Sequence, residues 1–259
     1  RLRSGLHADF ERTQQLTVDR LARSDRSGGS ALMVALTGVG GALATQPLDV
    51  ADAASETATA AAGSGSATLA TTARMLHLMQ IRREQGRLSE IEPLLEGAAA
   101  ASRRRIIVPF LASARREADD RVATRAVLDG FLAGLDDMTM DWTYVATLAL
   151  AAEEAVAAGH DELAAALDDR LRGEPAQVVV ACSVLLVLGQ LDRYRGILAL
   201  QRGDPDRAVD LCASARRAEE ASGAPLWRAW AAHGEAAARI SRGAPGDIDE
   251  ARALLGAAG

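Results

Sequence analysis

The chain has 259 residues and a net charge of −6, and 49% of it is apolar while only 3% is aromatic. That is enough chain to bury a sizeable core, and its alanine and leucine favour close-packed helices over sheets of branched and aromatic residues. The acidic balance excludes overall attraction to nucleic acid or an anionic membrane, and all 29 basic residues are arginine, so there is no lysine for a P-loop or a Schiff base.

The first strong segment is "SALMVALTGVGGALAT" (Ser30 to Thr45), an apolar run carrying Gly38, Gly40 and Gly41. The glycines raise the question of a phosphate loop. A Rossmann fingerprint spaced from Gly38 and Gly40 needs glycine or alanine where Leu43 stands, and no strand pattern precedes it. The segment therefore predicts a helix in which Gly40 and Gly41 mark close packing or a kink.

Aligned on its helix breaks, the chain repeats. A small residue is followed, five positions on, by an apolar one in "GLHADF" (Gly5), "GRLSEI" (Gly86), "GHDELA" (Gly159) and "GDPDRA" (Gly203). Degenerate copies are "QPLDVA" (Gln46) and "ADDRVA" (Ala118), and a last copy from Gly243 to Ala251 carries an insertion. Successive starts lie 41, 40, 32, 41, 44 and 40 residues apart. Glycine ends one helix in the left-handed conformation that it alone adopts cheaply, and a short polar residue starts the next, as in Gly203, Asp204 and Pro205.

A longer helix is predicted before each break. The best formed are Thr72 to Glu84, Asp141 to Ala158, Val178 to Arg202 and Pro225 to Arg242. Within the third, "VVVACSVLLVLG" (Val178 to Gly189) is too short to span a bilayer and reads as a core helix. Loops are expected at Ser24 to Ser30, Ala61 to Ala67, Arg172 to Gln177 and Ser222 to Pro225. Two antiparallel helices per ~40 residues describe an all-α, TPR-like α-solenoid of about six to seven helix pairs, treated as one array over residues 1–259. The pattern is diluted by threonine, serine and glycine in the first 65 residues.

Little points to catalysis. In "LDDMTMD", Asp136, Asp137 and Asp141 resemble the aspartate-rich metal motif of an all-helical Mg²⁺-dependent isoprenoid-diphosphate enzyme, but the chain has no second metal motif and few aromatics. A capped loop before the Asp141 helix accounts for the same residues. His7, His77, His160 and His233 lack metal-ligand spacing, Cys182 and Cys212 read as ordinary buried thiols, and no serine stands in a nucleophile elbow. The acidic pairs Glu153–Glu154 and Asp168–Asp169 read as solvated charge. No cofactor and no metal are expected.

Binding residues are sought among aromatics and arginines on a concave face. Trp142 and Tyr144 begin one long helix, and Trp227, Arg228 and Trp230 lie near the start of another; aromatics at such spacing read first as core anchors between helix pairs, the functional alternative being a groove for a peptide or small ligand. In "LDRYRG", Arg193 and Tyr194 interrupt an otherwise apolar helix, where a charge must pair internally or meet a ligand. Trp142, Tyr144, Arg193, Tyr194, Trp227 and Arg228 are thus the candidate contacts for a protein, a peptide or a small-molecule effector.

"LHLMQIRREQGRLSEIEPLLEGAA" (Leu76 to Ala99), "MDWTYVATLALAAEEAVAAGH" (Met140 to His160), "LGQLDRYRGILALQRGDPDRAVD" (Leu188 to Asp210) and "LWRAWAAHGEAAARISRGAPGDIDEARALL" (Leu226 to Leu255) resemble the tetratricopeptide-like region of large actinobacterial ATPase regulators. These are related to LuxR-type and MalT-type activators and to cyclase-linked signalling ATPases. The resemblance covers about Thr72 to Gly259, its most specific piece being the last helix pair with "RGAPGD". It implies a non-catalytic sensor or interaction region of an ATP-dependent transcriptional regulator, with an ATPase domain in cis and no direct contact with nucleic acid or membrane. A start on Arg1 and no signal-peptide pattern fit a piece excised from a longer cytoplasmic protein. The alternative expectation is a free-standing peptide-binding adaptor.

Overall fold

The computed structural model describes residues 29–101, 105–182 and 185–258. The Gly5 repeat copy and His7 lie outside them. Twelve α-helices are present among the described residues. They are α1 (Gly29–Thr45), α2 (Leu48–Ala60), α3 (Ala67–Glu84), α4 (Glu92–Ala101), α5 (Ile107–Glu117) and α6 (Arg121–Ala133). After these come α7 (Tyr144–Ala157), α8 (Asp161–Leu171), α9 (Leu191–Gln201), α10 (Pro205–Ser222), α11 (Pro225–Arg242) and α12 (Asp247–Ala258). Short 3₁₀ turns occupy Ser64–Ser66 and Leu88–Ile91.

Every repeat break within the described residues is a break between helices. Gly86, Gly159, Gly203 and Gly243 have φ of 65°, 63°, 77° and 67°, and Asp119 takes the same left-handed conformation at 56° in the degenerate copy. At four breaks the amide three residues past the helix returns to a carbonyl in its last turn: Arg87 to Arg82, Asp120 to Arg115, His160 to Ala155 and Asp204 to Ala199. This ties off carbonyls that the helix end leaves orphaned. The next helix then starts on a side-chain cap. Asp120 accepts from the Ala123 amide at 2.9 Å, Asp204 from Arg207 at 3.1 Å, and the His160 ring nitrogen Nδ1 from Leu163 at 3.3 Å.

The helices pack with their neighbours in sequence: α5 on α6, α7 on α8, α9 on α10 and α11 on α12. The first helices of these pairs also touch in order, so that α3, α5, α7, α9 and α11 form a continuous row. Leu148, Ala149, Leu150, Ala151 and Ala152 are all buried, because α7 lies in the middle of that row.

Val178 to Gly189 is not a helix. It folds as an antiparallel hairpin of β1 (Val178–Ala181) and β2 (Leu186–Gln190), pairing Val180 with Val187 and Ala181 with Leu186, and α9 begins only at Leu191. Three successive valines favour extended backbone, and along β1 exposed and buried residues alternate with a strand's period of two. Cys182, at φ 56°, leads into the turn. Gly189, at φ 80°, crosses so close to α11 that an added Cβ would lie 3.0 Å from Trp227.

The glycine-rich segment forms one uninterrupted helix, α1. Gly40 is buried, but a Cβ at Gly38 or Gly41 would meet nothing within 4 Å. Close packing at Gly41 is therefore not found; its side of the helix faces open space.

Candidate functional site

The row of first helices converges on a cluster of charges. Arg83 and Glu84 end α3, Arg116 ends α5, Glu153 and Glu154 lie in α7, Arg193 lies near the start of α9, and Trp230 stands on α11. Arg83 bridges Glu84 at 2.6 Å and also pairs with Glu153, whose second cation is Arg193 at 3.1 Å. Arg116 donates through Nε to Glu154 at 2.9 Å. Trp230 Nε1 donates to Glu84 Oε2 at 2.8 Å, tying α11 directly to α3, while Gln80 donates to the other oxygen at 2.7 Å.

The cluster holds three arginines and three glutamates, so it is neutral as a unit. Burial opposes the charge on Glu153, yet Arg193 and Arg83 outweigh it and hold the carboxyl down at about 2. Glu84 responds the other way: burial dominates over Arg83 and raises it above the usual carboxylate range. Burial also works against the charges on Arg83 and Arg193, but the surrounding acidic groups, Glu153 foremost, together outweigh it and raise both further, so they stay cationic.

The structure consumes much of the expected binding set internally. Tyr194 is wholly buried and its hydroxyl donates to the Leu188 carbonyl at 2.7 Å. The Arg193 guanidinium lies 4.0 Å from the Tyr194 ring centroid and 5.6 Å from that of Trp230. Asp192 receives Arg195 at 3.0 Å and the Ser214 hydroxyl at 3.1 Å. "LDRYRG" therefore resolves its charges by internal pairing. Trp227, 1% exposed, is a core residue packed with Ala44 and Ala224. These three aromatic and charged candidates, Arg193, Tyr194 and Trp227, offer no open surface here.

No known family model, curated protein or solved structure matches the chain. Its possible chemistry therefore rests on the geometry alone.

The remaining candidates are scattered. Trp142 is half-exposed in the turn before α7, and Tyr144 is the first residue of that helix. Glu153 stands nine residues further along α7, about 13 Å up the axis, so these two aromatics do not join the charge cluster. Arg228 lines a depression of about 210 Å³ with Glu219, Glu220, Gly223, Ala224 and Pro225. Burial raises the Glu219 carboxyl there, although the Gln190 amide donates to it at 2.6 Å.

Asp136 pairs with Arg170, and Asp141 accepts from the Thr143 amide and hydroxyl at 2.8 and 2.7 Å. Among the described residues no group of three or more histidines, cysteines and carboxylates is arranged to hold a metal ion. Ser55 and His77 do stand 2.9 Å apart between α2 and α3, but both are wholly buried, out of reach of any substrate. Burial, and then the nearby Arg74 charge, lowers the His77 ring to about 4. Cys182 and Cys212 are both buried.

Of the two acidic pairs read as solvated, Asp169 is exposed, but the other three carboxylates are partly or wholly interior. Glu154 is 2% exposed and Asp168 0%, the latter bridged by Arg172 at 2.5 Å and Arg207 at 2.8 Å. The sequence did hold a signal for the first pair, because Glu153 and Glu154 are the only charges in the apolar helix α7. The same logic singled out "LDRYRG", and the two answer one another across α7 and α9.

Proposed function

We propose that this chain is a non-catalytic, TPR-like helical-repeat module that serves as the sensor or protein-interaction region of a larger ATP-dependent transcriptional regulator in the cytoplasm. The observation that carries this reading is the row of first helices, α3, α5, α7, α9 and α11, the last four each packed on the helix that follows it, and recurring at breaks of similar design. Stacked pairs of this kind bury one face against each neighbour and leave the other available along the array. The chain's Leu76 to Leu255 segments, which resemble the helical region of actinobacterial ATPase regulators, add the regulatory context. The absence, among the described residues, of any helix long and apolar enough to cross a membrane is compatible with that setting.

A ligand or partner would act by preferring one packing of the array over another, since a ligand with equal affinity for both shifts nothing. The reading frame upstream of Arg1 supplies the direct test. A P-loop ATPase encoded there, whose nucleotide turnover changes when this module is deleted, is the expected result. An immediate start codon would instead make the chain a free-standing adaptor, and Mg²⁺-dependent turnover of an isoprenoid diphosphate lost on Asp137→Ala would overturn the non-catalytic reading.

A further inference from the structure

Helix α1 contributes little to its own stability. It carries no charged residue, with none acidic in its first turn and none basic in its last. The hydroxyls of Thr37 and Thr45 bond only to carbonyls of α1 itself, on Val34 and Gly41. Gly38 and Gly41 each lower helix formation roughly fivefold relative to alanine, and both face open space, so no neighbour requires the missing side chain.

What holds α1 is burial of one apolar stripe. Leu32, Leu36, Val39, Leu43 and Ala44 recur at helical spacing and are all buried. Val39 and Leu43 pack with Ala51 of α2 and Ile81 of α3, and Ala44 packs with Val187 of β2 and Leu226 and Trp227 of α11. The helix packs on α2, its neighbour in sequence, and also bridges the two ends of the array, touching α3, β2 and α11, while the row from α3 to α11 has its own continuous contacts. Its link to α2 is the pair Gln46 and Pro47, the latter in an extended conformation at ψ 145°.

We propose that the groove formed by Ile81, Val187, Leu226 and Trp227 is a helix-receiving surface, held in this chain by α1 and open, once α1 leaves, to an uncharged apolar helix of a partner. The chemistry selects that partner: the groove is apolar, and α1 fills it without an ion pair or a charged residue. This rests on the interaction-module reading and specifies where and how the module binds.

Native-state hydrogen exchange on the intact chain, together with uptake of a labelled peptide of residues 29–46 bearing a charged solubilising tail, tests it. The expected result is exchange of α1 amides well ahead of those in α7, and saturable uptake of the peptide that a Leu36→Asp, Leu43→Asp peptide does not show. The double variant Gly38→Ala, Gly41→Ala stabilises the seated helix, so it should slow α1 exchange and weaken peptide uptake by about 30-fold. Protection of α1 equal to that of α7, or uptake indifferent to the double variant, would overturn the proposal. Either result would leave the interaction-module reading standing if the chain still regulates an adjoining ATPase, because a partner would then bind another face.

Discussion

Two buried groups, Glu153 and His77, make the electrostatics of this molecule measurable one residue at a time. Glu153 neutralises both Arg83 and Arg193, and all three are largely shielded from water. Glu153→Gln leaves two buried cations short of their counter-charge and should cost about 3 kcal/mol, read as a lower urea midpoint at unchanged slope. His77 gives a pH signature. Its ring falls from 6.5 to about 4 on folding, so the neutral form is favoured. The stability it contributes is fully present above pH 6.5 and is lost as the pH falls towards and through 4, by about 2.5 kcal/mol at pH 4.5. A His77→Gln variant should lack that component, so the gap between wild type and variant should narrow between pH 7 and 4.5. Asp119 offers the opposite sign. It is an exposed non-glycine residue at φ 56°, and its ion-pair partner among the described residues is the equally exposed Arg121 at 3.5 Å. Asp119→Gly should therefore raise stability by about 1 kcal/mol in thermal unfolding.

At the scale of elements, helix ends were far more legible than helix interiors. A break is written locally: Gly203, Asp204 and Pro205 stop one helix and start another whatever surrounds them, and the range Pro225 to Arg242 emerges in the structure unchanged. The hairpin was missed because a short apolar run satisfies a buried strand and a buried helix equally well. Val178 to Gly189 lies between α8 and α9, with β1 against α7 and β2 against α1, so its extended form is set by contacts outside the segment. Gly189 is where this shows most sharply. Gly189→Ala would put a Cβ into left-handed backbone 3.0 Å from both Glu219 and Trp227, and should destabilise the fold by about 2 kcal/mol or more while blue-shifted tryptophan emission is lost.

Across the whole molecule, the decisive feature is that the two ends of the row of first helices, α3 and α11, are linked through the bond from Trp230 to Glu84 and through α1 lying against both. Trp230→Phe keeps the ring but removes the donor from a buried carboxylate. It should cost about 1–3 kcal/mol and speed amide exchange at the end of α3, with α8 unaffected. The sequence alone determined the helical class, the places where helices stop and the residues that stop them, because capping and left-handed turns are local chemistry. It also marked Arg193 as a charge needing a partner. Only the tertiary structure decided that the partner is Glu153 on another helix, that Tyr194 and Trp227 are core rather than surface, and that a valine-rich segment becomes a hairpin. Those outcomes depend on which elements meet, and side-chain burial is a property of that meeting rather than of any one segment.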